Sequence, residues 1–342
     1  MSHPAKYNIH SSNYNRLANF ESDDSIDAVY TWVDGSDPLH NEKRMRYQNY
    51  ANIEGIAKDA NASTRFNESG ELWYSIHLLR KNCPWIRNIF LITDDQRPEW
   101  LTEKIALQMG VEVIDHKIIF SGYEKYLPTF NSRSIEAMMD RIPGLANRFI
   151  YFNDDILLVK PVSIETYFDD FIPLMRGRWL PKPRLLMYLN SWLRRLKMGR
   201  YNTDGLVGLS AEKGLLKGLF IYSLSHTPHP INKDDYTKCI DEFKRENIIK
   251  FRFRHRSQIK PTNLYANQAI SAGKCKSITP DLLYLSTKMN KLHWMEGFRF
   301  LRHDESPRHL CVQSLELMPN EVLREFQTSL DKILNQSEEV NN

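Results

Sequence analysis

Apolar runs alternate with polar, helix-forming stretches through the first half of the chain. Ile26-Asp-Ala-Val-Tyr-Thr-Trp-Val33 is dense in β-branched and aromatic residues and reads as a buried strand. It stops at Asp34-Gly-Ser-Asp-Pro38, a turn or helix-start cluster, and a polar helix is expected from there to about residue 58. Over 71–81, Leu72, Ile76 and Leu79 recur at helical spacing, and Pro84 closes that helix. Asn88-Ile-Phe-Leu-Ile-Thr93 is a second strand, running into Asp94-Asp-Gln-Arg-Pro98. The pattern then predicts a helix over 100–109, a third strand over 111–116, a helix opening at Asn131-Ser-Arg-Ser-Ile-Glu136, and a strand around Tyr151.

Strands alternating with helices to about residue 160 predict an α/β fold: a Rossmann-like, mostly parallel sheet flanked by helices. The polar clusters at 34–37, 94–96 and 153–155 all follow the C-terminal ends of apolar runs, the edge where open α/β sheets bind ligands. Each cluster also has a plainer reading as a helix N-cap. The expected organisation is a loose polar arm over 1–25, an α/β core over 26–160, a basic and aromatic insertion with helical character over 161–225, completion of the core over 226–318, and a terminal helix and tail over 319–342.

The candidate chemistry centres on Arg148-Phe-Ile-Tyr-Phe-Asn-Asp-Asp-Ile-Leu-Leu-Val159, where Asp154 and Asp155 interrupt an apolar run. Buried carboxylates are costly unless paired or bound to a cation. A strand end presenting both to Mg²⁺ or Mn²⁺ beside a phosphorylated substrate is one reading. A turn built from Asn153, Asp154 and Asp155 is the other.

Composition narrows the setting. The 342 residues are 42% hydrophobic, enough for a sizeable core, and the net charge of +4 is weak evidence for a polyanionic partner. Cys83, Cys239, Cys275 and Cys311 form no C-x-x-C pair, which argues against structural zinc and fits a reducing cytoplasm. The polar N-terminus has no apolar signal-peptide core, and no run approaches a membrane span. The three Asn-x-Ser sequons at Asn61, Asn67 and Asn335 therefore read as chance matches.

Basic residues dominate locally. Arg176, Arg178, Lys182, Arg184, Arg194, Arg195, Lys197 and Arg200 share a stretch with no Asp or Glu, interleaved with Trp179, Tyr188 and Trp192. A solvated surface, a peripheral contact at an anionic membrane, and a groove for an acidic polymer all fit. Phe251-Arg-Phe-Arg-His-Arg256 alternates like a strand with its bases on one face, so Arg252 and Arg254 are expected to point together. A phosphate clamp and a nucleic-acid contact compete for that segment. Val322, Phe326, Leu330 and Leu334 share a helical face near the C-terminus.

With these segments in view, the chain resembles the Stealth family of sugar-1-phosphate transferases, found in bacterial capsule synthesis and in the animal GlcNAc-1-phosphotransferase. The first family block is matched by Ile26 to Asp37. The second runs from Glu71 to Pro161 and includes Cys83-Pro-Trp-Ile-Arg-Asn, Asp115-His116, Leu127-Pro-Thr-Phe-Asn-Ser132 and Tyr151-Phe-Asn-Asp-Asp155. A looser third block spans 226–265. A weak fourth, at Arg308-His-Leu-Cys-Val-Gln-Ser314, departs from the Asn-Asp common in relatives at Gln313-Ser314.

The resemblance implies a GT-A-like form of the fold and a transfer of hexose-1-phosphate from a UDP-sugar such as UDP-GlcNAc to a saccharide or capsular acceptor, releasing UMP. It implies Asp154 and Asp155 as ligands of Mg²⁺ or Mn²⁺, His229 as base, and Arg254 or Arg252 as stabiliser of phosphoryl charge. Trp32, Asp34, Asp37, Asn131, Arg133 and Glu136 would bind the donor. Trp32 reads equally as core, and His229, set between two prolines, as a turn residue. The setting would be cytoplasmic, with the inner face of the membrane as a peripheral contact and nucleic acid not a partner. Two rival functions remain at this stage: a metal-dependent glycosyltransferase releasing UDP, and a non-catalytic polyanion- or membrane-binding protein.

Overall fold

A computed structural model describes residues 25–49, 70–181, 192, 220–255, 258–286, 289–301, 303 and 305–336. The first half runs β1 (Ile26–Thr31), α1 (Pro38–Asn49), α2 (Glu71–Asn82), β2 (Ile89–Thr93), α3 (Glu103–Met109), β3 (Val111–Asp115), the short α4 (His116–Ile119) and α5 (Ser132–Glu136), and β4 (Arg148–Asn153). The second half contains β5 (Ile156–Leu158), β6 (Phe168–Asp169), β7 (Ile172–Pro181), β8 (Phe220–Leu224) and β9 (His229–Asn232). It continues through α6 (Lys233–Glu242), α7 (Glu246–Ile249), α8 (Pro261–Ser271), β10 (Lys276–Ile278), β11 (Leu282–Ser286), α9 (Lys291–Phe300), β12 (His309–Gln313) and α10 (Asn320–Asn335).

The expected α/β architecture is present. The central sheet has the order β3-β2-β1-β4-β9, with the first four strands parallel and β9 antiparallel to β4. Strand periodicity of two sends alternate residues of β1 to opposite faces. Ala28 and Tyr30 pack in a core with Leu72, Ile76 and Leu79 of α2, while Val29 joins Ile119, Phe120 and Ala137 on the other side. With both faces covered, the strands are apolar along nearly their whole length, as buried parallel strands require.

A second, three-stranded sheet, β11-β12-β5, leads directly out of the first, because only Asp154 and Asp155 separate β4 from β5. Cys311 of β12 lies opposite Ile156, and Val312 N–H donates to Asp155 O at 3.0 Å. This ladder brings a C-terminal segment up against the carboxylate turn. α9 and α10 cover the same sheet through Trp294, Phe298, Val322, Phe326 and Leu330.

Several expected boundaries move. The third strand ends at Asp115, whose carboxylate accepts from Lys117 N–H at 2.7 Å and so caps α4. The helix expected to reach residue 58 is described only to Asn49. Within 161–225 the described elements are strands, β7 pairing with β8 from Gly177–Leu224 to Pro181–Phe220. Residues 182–191 and 193–219, including Lys182, Arg184, Arg194, Arg195, Lys197 and Arg200 of the basic stretch, lie outside the described residues. Arg176, counted with that surface, is instead buried in β7. The segment 251–255 forms no extended strand.

Candidate active site

Carboxylates, an arginine and a histidine converge at the C-terminal end of β4. The strand is pinned there by a short relay: Tyr151 hydroxyl lies 3.0 Å from Thr31 Oγ1 and donates to Asn153 Oδ1 at 2.8 Å. Asp154 and Asp155 then form the tight turn into β5. The backbone is a turn, and its two side chains are partly buried side by side. Cys311 Sγ donates to Asp155 Oδ2 at 3.6 Å, while Asp155 Oδ1 has no hydrogen-bond partner. Burial pushes both carboxyls well above the ordinary carboxylate range, and the charge of Asp154 pushes Asp155 further. The two titrate as a pair.

This pair fits a hard divalent cation. It offers oxygen donors, one of them unpartnered, and a concentration of negative charge that burial disfavours. Among the described residues no three His, Cys, Asp or Glu side chains assemble into a cage. Two protein carboxylates with the remaining positions left to phosphate and water is the usual Mg²⁺ arrangement.

Arg254 approaches from the 251–255 loop. Its Nη2 donates to Ser132 Oγ at 2.7 Å, and its charge acts on both Asp155 and Glu136. Burial raises the Glu136 carboxyl, against the opposing pull of Arg254, Arg133 and Lys260 and a hydrogen bond from Thr262. Arg252 points elsewhere. Its Nη1 and Nη2 donate to Pro128 O at 2.7 Å and Lys125 O at 2.8 Å, and its guanidinium lies 4.8 Å from the Tyr47 ring centre. The expectation that the two arginines share a face is therefore overturned, because the segment is a loop rather than a strand.

Asn131 builds that loop. It is fully buried, its Oδ1 accepts from Arg133 N–H at 3.2 Å, and its Nδ2 donates to Phe251 O and Gln258 Oε1. Ser134 Oγ adds a bond to Phe251 O at 2.9 Å. Arg133 Nη1 donates to Gln258 O at 3.1 Å. Asn131 is thus committed to holding α5 and the arginine loop together, and has no surface left for a donor.

His229 opens β9 opposite Tyr151, with ring centres 6.3 Å apart. It is buried, and its Nδ1 has no hydrogen-bond partner. Burial, then the charges of His226, Arg176 and Lys260, push its pKa down to about 3, so the ring is neutral across the physiological range.

The β1 loop is organised around Gln96. Its amide exchanges two 3.0 Å bonds with the backbone of Asp34 and donates to Asp37 Oδ2 at 2.7 Å. Asp34 Oδ1 accepts from Ser36, and Asp37 Oδ1 caps α1 through Leu39 N–H. Trp32 is buried in the core beneath α2. The plain core and capping readings account for these three contacts. Asp94, after β2, pairs with Lys43 at 3.3 Å and lies 3.9 Å from His116.

Sequence reading passed over Lys260, Thr262 and Glu316, and met Gln313 only as a departure in the weak fourth block. Gln313 Nε2 lies 3.4 Å from His226 Nδ1, and Tyr284 hydroxyl donates to Gln313 Oε1. Ser314 then adopts φ 59°, and Glu316 follows with an unpartnered Oε1 and a carboxyl raised by burial and by Asp154. The signal available was the weak fourth block, which ends at that turn.

Two family models match this chain. They are Stealth protein CR1, conserved region 1, over residues 24–50, and Stealth protein CR2, conserved region 2, over residues 65–173. Capsular polysaccharide phosphotransferase fcs1 of Haemophilus influenzae is 31% identical over 303 residues, covering 84% of this chain and 77% of that protein. The chain belongs to the Stealth family. A capsular polysaccharide phosphotransferase of Neisseria meningitidis serogroup B is 32% identical over 75% of this chain and 65% of its own length. Other matches are partial: Exopolysaccharide phosphotransferase SCO2592 of Streptomyces coelicolor is 44% identical over 42% of this chain and 15% of its own length. Among solved structures, the WbbM bifunctional glycosyltransferase aligns with 94% of this chain and 51% of its own, at TM-score 0.47 and 8% identity.

In this Stealth protein the matched regions contain Trp32, Asp34, Asp37, Asn131, Arg133, Glu136, Asp154 and Asp155. His229, Arg252 and Arg254 lie beyond both, and it is the fold that sets His229 opposite Tyr151 and brings the charge of Arg254 to Asp155.

Proposed function

We propose that this Stealth phosphotransferase moves a hexose-1-phosphate, of the N-acetylhexosamine class, from a UDP-sugar to a hydroxyl of a saccharide acceptor in capsular or exopolysaccharide synthesis. The observation that supports it most is the paired Asp154 and Asp155 at the end of β4, with the charge of Arg254 acting on Asp155 and with a neutral His229 on the adjoining strand opposite Tyr151. Phosphoryl transfer requires little covalent chemistry from the protein; it requires charge placement, alignment and a proton acceptor.

In this reading the acceptor oxygen attacks the sugar-proximal phosphorus. Its proton passes to His229, a new P–O bond forms, and the bond from that phosphorus to the bridging oxygen breaks, the oxygen leaving with UMP. Asp154 and Asp155 would hold Mg²⁺ or Mn²⁺, which neutralises diphosphate charge when bound. Arg254 lies within electrostatic reach of the same turn and offers a planar fork to phosphoryl oxygens. A histidine as depressed as His229 accepts a hydrogen bond readily but a proton reluctantly. The negative phosphate arriving beside it raises its basicity at the moment of transfer. Arg133 and Glu136, which share electrostatic surroundings with Arg254, would contact donor phosphate or sugar hydroxyls in this reading.

A cytoplasmic setting with peripheral contact at the membrane's inner face accompanies this reading; no helix of the described residues is long and apolar enough to cross a membrane. The deciding experiment incubates the protein with a panel of UDP-sugars, Mg²⁺ or Mn²⁺ and saccharide acceptors, and identifies the nucleotide product by mass spectrometry. UMP with a phosphodiester product is the expected result. UDP would replace the reading with glycosyl transfer.

A further inference from the structure

Arg176 is only 5% exposed, yet its guanidinium is barely engaged. Nη2 donates to Thr166 O at 2.6 Å and the group lies 5.2 Å from the Tyr167 ring centre, while Nε and Nη1 have no hydrogen-bond partner among the described residues. No carboxylate of the described residues forms an ion pair with it. Asp281, the acidic group whose charge reaches it, is paired with Arg308 at 2.9 Å. A buried cation without a counter-charge is expensive to maintain, so such a group calls for an anion.

Two further unpartnered polar groups belong to the segment hydrogen-bonded to the Arg176 backbone. Ser225 N–H donates to Arg176 O at 3.0 Å, and Thr227 N–H donates back to Ser225 O, which folds the β8–β9 link across β7. Thr227 is fully buried with no partner for its Oγ1, and the next strand opens with His229, whose Nδ1 is also unpartnered. β7 packs against β9, and Arg176 lies close enough for its charge to act on His229. The adjoining His226 reaches the surface on the same link.

We propose that Arg176, Thr227 and His229 form a recessed site for one oxyanion of the phosphate class, contributed by the acceptor saccharide. A guanidinium edge, a hydroxyl and an imidazole supply the directional polar contacts a phosphate oxygen requires. The assignment to the acceptor rests on the phosphotransfer reading. β9, which carries His229, pairs with β4, the strand that leads into Asp154 and Asp155, and packs against β7, which carries Arg176, so the arginine reaches the base from a different element than the donor-handling carboxylates. An anion held there would place a phosphate-bearing acceptor against His229. Arg176 itself falls outside both matched family regions, which end at residues 50 and 173.

The test uses the full chain in EDTA, with melting temperature followed against inorganic phosphate at ionic strength matched by KCl. Wild type should show a saturable rise, as expected when a ligand binds only the folded state. Arg254→Met should keep that rise. Arg176→Met should weaken the apparent affinity roughly tenfold or more, and the near-isosteric Thr227→Val should weaken it without removing a charge. The site is refuted if wild type shows no saturable response, or if Arg176→Met and Thr227→Val keep it. Two further probes, UMP and a phosphorylated oligosaccharide, separate the sources. Loss confined to the oligosaccharide supports the acceptor, and loss confined to UMP overturns that assignment. Because no turnover is measured, these outcomes are independent of whether UMP or UDP is the reaction product.

Discussion

Two sets of buried carboxylates behave in opposite ways in this molecule. Asp27, near the N-terminal end of β1, is fully buried and fully served: Arg87 binds it through Nε at 2.9 Å and Nη2 at 2.6 Å, and the N–H groups of Asn88 and Ala146 donate to it. Asp140 is held the same way, by a bidentate Arg245 and by Thr237 Oγ1. Asp154 and Asp155, at the opposite end of the sheet, have each other, the backbone N–H groups of their own turn, a thiol and an unpartnered oxygen, with no cation bound to either through a salt bridge among the described residues. The fold satisfies the first set completely, so those carboxylates anchor loops to strands. It leaves the second set short of partners, which is a cost that binding a cation and its phosphate can offset.

The sharpest break of this comparison is to neutralise one member of each set. Asp155→Asn should reduce turnover at least about 10³-fold, with EDTA reproducing the loss in wild type and Mg²⁺ or Mn²⁺ reversing the chelation. Its effect on stability should have the opposite sign. The folded pKa of the pair lies above the unfolded value near ~3.9, so the folded state binds more protons between those values and loses stability as pH rises through that window. Asn removes the ionised form, and the metal-free variant should melt at or above wild type at neutral pH. Asp140→Asn should do the reverse, costing about 1.5–3 kcal/mol by leaving Arg245 with only the exposed Asp241 as counter-charge, while the folded fraction keeps its kcat. Full activity in metal-free wild type, or a large destabilisation by Asp155→Asn, would erase the distinction.

His229→Ala should lower kcat by roughly 10²–10⁴-fold with little change in donor KM. The pH profile separates its role from that of the carboxylates. A histidine near its ordinary pKa would give an acid limb that vanishes in the alanine variant. At about 3, His229 is neutral throughout the working range, so the limb near neutrality belongs to the raised Asp154–Asp155 pair. It should persist in His229→Ala and move to lower pH as Mg²⁺ is raised, because cation binding competes with protons. A limb that disappears with His229 would return the titration to the histidine.

The strands and the carboxylate turn were legible because their signals are local: apolar runs at a period of two, ended by polar clusters. The site's other half was not. Asn131 reads as a donor contact in sequence, yet its amide is spent on Phe251 O and Gln258 Oε1 more than a hundred residues away. Arg176 reads as one base in a solvated stretch, yet β7 buries it. The depressed His229 follows from burial, from its near neighbour His226 and from charges on two distant segments, at Arg176 and Lys260, that the residues around it do not reveal. Glu316 enters only because β12 pairs with β5.

The smallest expected effect lies within one loop and repeats the comparison in arginines. Arg252 has both terminal nitrogens on backbone carbonyls of the 125–128 turn, and Arg254 directs its charge to Glu136 and Asp155. Lysine preserves the charge at either position but loses the planar fork. Arg254→Lys should therefore cost roughly 10–10² in kcat/KM for the sugar nucleotide, with melting nearly unchanged. Arg252→Lys should lose about 1 kcal/mol of stability, one or two neutral-acceptor bonds, and leave kcat/KM within about twofold of wild type. Both readouts belong on the same preparations, since a fall in kcat/KM that tracks unfolding would say nothing of the site. If Arg252→Lys is the variant that loses turnover while staying folded, the loop must turn over on binding donor, and the two arginines exchange roles.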